Sequence, residues 1–161
     1  MTGDNNLGAR LRALATELAD RIDATDLTGI DWTIQPLQGP ETEFQRVPVQ
    51  EIRHALDSVT AELRAYATHG THPTVPTRRM LQAADLETRP GWGVHATPLG
   101  GSLRMTCWYW GRALDAYLVG DHTTAAAELA GAEIASEIPP GRKITSDNHR
   151  QVEAARRRAA G

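Results

Sequence analysis

Residues 102–138 read SLRMTCWYWGRALDAYLVGDHTTAAAELAGAEIASEI, and this stretch decides the fold. Leu103, Cys107, Trp110, Leu114 and Tyr117 recur at spacings of four, three, four and three. That spacing lays one apolar stripe along a helix. Ser102 follows Gly100-Gly101 and is expected to cap the helix by accepting a bond from a free backbone N–H. Gly120 suits the left-handed residue just past a helix end, and Asp121 suits the cap of the next helix. That second helix is small-faced, carrying Ala125, Ala126, Leu129, Ala132 and Ile134. Gly111 costs its helix roughly 1 kcal/mol against Ala. Close packing against a neighbour would be the reason to keep it.

The remaining segments read as elements packed around this hairpin. Leu7, Leu11, Leu14, Leu18 and Ile22 predict a helix over 6–24, with residues 1–5 frayed. Its other face carries Arg10, Glu17, Asp20 and Arg21, as a solvated face would. Val49, Ile52, Leu56, Val59, Leu63 and Tyr66 predict a second helix over 49–68, started by Pro48 and stopped near Gly70. At under three heptads the stripe suits a bundle core better than a coiled-coil seam. Thr77 is expected to cap a short helix over 78–87. Ser146, after the stop at Pro139-Pro140-Gly141, is expected to cap a last helix over 147–160.

Two stretches resist helix. Residues 25–47 hold Gly29, Pro36, Gly39 and Pro40, which forbid a long helix. Ile30, Trp32 and Ile34 alternate with polar residues as a strand would, but no partner strand is evident. An extended segment lying over the bundle, with Trp32 as a lid on the core, is the expectation. Residues 88–101, TRPGWGVHATPLGG, hold four Gly and two Pro and are expected to be a mobile loop. The fold expected is all-α: a single domain over 1–161, a bundle of five or six helices with an irregular 25–47 segment.

Length and composition agree with one domain. A chain of 161 residues can bury roughly 70% of its unfolded surface. Formal net charge is −3, unevenly spread. Residues 1–45 hold three Arg against eight acids, whereas 139–161 hold six basic residues against two acids. The single Cys excludes an internal disulfide framework and a Cys-based metal cluster. Residues 1–10 are polar, and no run approaches the ~20 apolar residues that span a bilayer. A soluble, cytoplasmic protein without membrane contact is the expectation.

Reaction chemistry is hard to find. The sequence contains no GxxxxGK[ST], GxGxxG after a strand, HExxH, CxxC or GxSxG pattern. His69 and His72 offer at most two metal ligands without an acidic neighbour, so a polar turn is the better reading. Cys107 lies on the apolar stripe, where a thiol is usually inert packing. His122 beside Asp121 has the residue types of a base and its orienting carboxylate, but adjacent residues at a helix start rarely face each other. Gly120-Asp121 with Ala125, Leu129 and Ala132 resembles one tetratricopeptide hairpin. Arg112 falls where that repeat has a large apolar residue, and no second copy follows, so the resemblance assigns no family. No metal or cofactor is expected.

Three functions fit what is left. The first is a non-enzymatic protein–protein interaction or regulatory protein, binding a protein partner or itself through Arg104, Trp108 and Arg112. These lie off the core stripe, and Trp and Arg are enriched at binding hot spots. The second is a nucleic-acid-binding regulator using Arg142, Lys143, Arg150, Arg156, Arg157 and Arg158. The third is a small-molecule site or enzyme under the 88–101 loop, with Trp92, His95, Arg104 and Tyr109 at the N-terminus of the following helix. Free N–H groups there favour an anion.

Overall fold

Six α-helices form among the described residues: α1 (Leu7–Asp23), α2 (Val49–His69), α3 (Val75–Ala83), α4 (Gly101–Leu118), α5 (His122–Ser136) and α6 (Ser146–Ala160). The structure is a computed structural model. It describes residues 6–27, 48–83 and 99–161, with the backbone of two short strand pairs. The fold is all-α, as the periodicity predicts.

Most of each predicted stripe becomes core, but Val49 at the start of α2 is exposed, and Leu103, Tyr117, Ala126 and Ile134 are only half-buried. Leu7, Leu11, Leu14, Leu18 and Ile22 of α1 are buried against Ile52, Leu56, Val59, Leu63 and Tyr66 of α2. The two helices run antiparallel, fastened at their edges. Arg64 of α2 bridges Asp20 and Asp23 of α1 at 2.9 and 2.6 Å, and Arg12 of α1 donates to the carbonyls of Ala67 and Thr68. Such exposed pairs set register more than stability, at under about 1 kcal/mol each. Cys107, Trp110 and Leu114 of α4 close the core from the other side, and Ala125, Leu129 and Ala132 of α5 complete it. The Tyr66 and Trp110 rings meet edge to face at 5.9 Å, an arrangement favoured by the ring quadrupoles.

α5 is buried on two sides rather than one. Beyond Ala125, Leu129 and Ala132, it buries Ala127, Glu128, Gly131 and Ala135. One side meets α4 and the other meets α6, which buries Val152 and Ala155. The thin apolar face of α6 therefore docks on α5, at the flank of the main core.

Gly111 meets the expectation of close packing. A Cβ there would lie 2.7 Å from Cγ of Gln82, with the Gln82 backbone N at 3.4 Å. α3 is thus seated directly on α4, and Arg78 and Gln82 of α3 both bond Asp115 of α4.

Several helix ends differ from expectation. Ser102 does not cap α4. The cap residue is Gly100, and Ser102 is buried inside the first turn, donating to the Ile138 carbonyl at 2.9 Å. Ser102 thereby ties the start of α4 to the end of α5. α6 is capped one residue earlier than expected, by Thr145 with Asn148 in a reciprocal capping box. α3 begins at Val75, because Pro76 is tolerated in a first turn. Thr77 is inside it and donates to Glu62 at 2.5 Å. Burial would raise the Glu62 carboxyl, but hydrogen bonds from Thr77 and Thr74 outweigh it and hold the carboxyl below its usual range.

The two irregular stretches each hold a strand pair. Thr33–Ile34 pairs antiparallel with Gln45–Arg46, so the strand signal in 25–47 has a partner after all. Asp85–Leu86 pairs antiparallel with His95–Ala96. The helix expected over 78–87 ends at Ala83, since its last residues join that ladder. Residues 1–5 and Trp32 lie outside the described residues, as does most of 88–98.

Candidate functional site

Trp108 and Trp110 are separated by two residues and about 200° of helix rotation. Trp110 is 0% exposed, and its indole N–H donates to the Leu11 carbonyl at 2.9 Å. Trp108 is 45% exposed. The Arg112 guanidinium lies over its ring at 5.8 Å, a cation–π contact one turn further along. Arg104, one turn earlier, is exposed and makes no ion pair among the described residues. The three residues expected at a partner surface therefore do share one outer face of α4.

Beside that face runs a groove of about 360 Å³. Half-buried Met105 and Tyr109 of α4 and Ile144 of the α5–α6 connection supply its apolar part. Gly101, Arg104, Trp108 and His149 of α6 are its exposed lining residues. Among the described residues the groove lining contains no acidic side chain. Ile144 and His149 join the site only through the docking of α6 and carried no mark in the residue pattern. Of the four residues expected under the 88–101 loop, Arg104 and Tyr109 line this groove. The side chains of Trp92 and His95 lie outside the described residues, although the His95 backbone pairs with Leu86.

The far end of the face is pinned by a buried carboxylate. Glu128 of α5 is only 3% exposed. Its Oε1 accepts from Arg156 of α6 at 2.8 Å and lies 3.5 Å from the Arg112 guanidinium. Arg156 also bonds Glu153 and lies 5.3 Å over the Tyr109 ring. Burial opposes the charge on Arg156, but Glu128 and Glu153 outweigh it and hold its proton more tightly. Gly131 makes room for this arrangement, since a Cβ there would meet the Arg156 stem at 3.0 Å. Burial lifts the Tyr109 phenol above its usual range, and Arg156 partly opposes this. Tyr109 stays protonated at neutral pH and can pack or donate a hydrogen bond.

The six basic residues of the C-terminal segment are differently engaged. Arg156 is turned inward to Glu128, and Arg150 pairs with Asp147. Arg158 lines a separate groove of about 710 Å³ between α1, α5 and α6, where Arg10 pairs with Glu133. Arg142, Lys143 and Arg157 are exposed.

Several of the remaining chemistry-bearing residues are occupied structurally, while His69 is exposed. Cys107 is buried, and desolvation pushes its thiol up to about 12, so it holds no thiolate near neutral pH. Asp121 accepts from the Thr124 N–H as the α5 cap, which holds its carboxyl below the usual range. His122 stacks on Tyr117 at 5.4 Å. His72 tilts against Tyr66. Among the described residues no group of three or more His, Cys, Asp or Glu is placed to hold a metal. No described helix is long and apolar enough to cross a membrane. Comparison of the chain with protein-family models, curated proteins and solved structures returns no match.

Proposed function

We propose that this protein is a non-enzymatic interaction protein whose contact surface is the outer face of α4. The exposure of Trp108 carries the reading. A large aromatic left nearly half exposed beside a groove, with Arg on either side of it, has the composition of a binding hot spot. The backbone beneath it is rigid, because Trp110 and Gly111 anchor α4 to α1 and α3. A surface held still loses little conformational freedom when a partner arrives.

Nucleic-acid binding has less support. Two of the six basic residues already hold carboxylates, Arg156 that of Glu128 and Arg150 that of Asp147. A small-molecule site has the groove in its favour, but no polar cluster there is set up for a reaction.

The test compares the wild-type chain with Trp108→Ala by size-exclusion chromatography with light scattering, alone and with extract from the source cell. Absorbance is read at 260 and 280 nm. The reading predicts a protein-only complex, self-formed or with another chain, that the substitution abolishes. A complex rich in 260 nm absorbance that dissolves in salt would favour nucleic acid instead.

A further inference from the structure

Resting on the interaction reading above, we infer that the α4 groove takes an acidic segment of a partner protein that inserts one large apolar side chain. Two independent observations set that chemistry. The first is the groove itself. Met105, Tyr109 and Ile144 are half-buried and offer a thioether, a ring and a branched aliphatic, with Trp108 exposed beside them. A side chain such as Leu, Met or Phe would bury apolar surface against all four, at about 25 cal/mol per Å² removed from water.

The second observation is charge. Among the described residues the groove lining contains Arg104 and His149 and no acid. Arg142 and Lys143 are exposed on the connection just before Ile144. The two acids of α6 are already paired, Asp147 with Arg150 and Glu153 with Arg156. Arg104 has no ion pair among the described residues, so a carboxylate brought to it displaces none of them. Arg112 at the other end shares Glu128 with Arg156 and keeps a side-chain exposure of 45%. Arg104 and Arg112 are eight residues apart on one helix, a span of about 12 Å. An extended segment rises about 3.3 Å per residue, so carboxylates about four residues apart match the two guanidinium groups. The apolar anchor then falls midway, opposite Trp108.

A nucleic-acid strand fits this surface less well. Its phosphates would suit Arg104, but Met105 and Ile144 are not stacking platforms for bases. The chain as a whole carries a net charge of −3.

The experiment is selection from a random peptide display library on the full chain, with Trp108→Ala as the counter-target. The expected result is enrichment of acidic residues on both sides of a large apolar residue. The selected peptide should bind Arg104→Glu at least tenfold more weakly. Reselection on that variant should replace one acidic position by Lys or Arg. Trp108-dependent peptides without acidic enrichment would overturn the acidic chemistry while leaving the interaction reading standing. No Trp108-dependent peptide at all would overturn both. Random-sequence single-stranded DNA that displaces the selected peptide and binds more tightly than it would assign the groove to nucleic acid. Circular dichroism melts of Arg104→Glu and Trp108→Ala, both at exposed positions, confirm that the variants are folded.

Discussion

The inner and outer faces of α4 use the same residue type for opposite purposes. Trp110 has its whole ring in the core, its N–H paired to Leu11 and its ring edge to face with Tyr66. Trp108 has its ring beside a groove and under a guanidinium. Residue type does not make the difference. α1, with the Tyr66 ring of α2, covers one face, while α5 and α6 stop short of the other. An aromatic residue acts as a core residue or a contact residue according to what the neighbouring helices leave uncovered.

That contrast can be broken by substitution. The largest effect is expected from Trp110→Ala, at about 4 kcal/mol of stability, because a cavity opens and the Leu11 carbonyl loses its donor. Urea unfolding would measure it, and a loss under about 1 kcal/mol would mean the core does not rest on this ring. Next comes Glu128→Gln, at about 1.5 kcal/mol. It removes the charge that holds Arg112 and Arg156, though both arginines still reach solvent. Hydrogen exchange should show α6 opening more than α1. Uniform loosening would mean that Glu128 serves the whole bundle instead.

Gly111→Ala should cost about 1 kcal/mol. The strain against Gln82 exceeds the gain of roughly 1 kcal/mol in helix propensity. A raised melting temperature would show that α3 can yield. Trp108→Ala closes the series at under about 0.5 kcal/mol, the range of an ordinary surface change.

The helices and most of the core were legible because periodicity is a local property. Leu7 to Ile22, Ile52 to Tyr66 and Leu103 to Tyr117 each announce a buried stripe without knowledge of the partner. Helix ends were less legible. Ser102 and Thr77 have the chemistry of caps, yet each found a tertiary partner, Ile138 and Glu62, and was drawn inside its helix. The partner strand at Gln45–Arg46 lacks a hydrophobic alternation to mark it.

The candidate face was half legible. Arg104, Trp108 and Arg112 follow from helical spacing alone. His149 and Ile144 arrive from another element, and no one-dimensional signal places them there. Glu128 was available in principle. It lies three residues after Ala125 and four before Ala132, on the buried side of α5. Reading that helix as one-faced concealed it, and reading Arg156 as one of a surface Arg run concealed its partner.

The most direct test of the contact surface is one paired measurement on Trp108→Ala: its melting temperature, and its affinity for a binder of the wild-type chain. The account predicts an unchanged melting temperature and lost binding. A variant that unfolds would put Trp108 in the core. One that stays folded and binds as tightly as wild type would contradict the assignment of the α4 outer face as the contact surface.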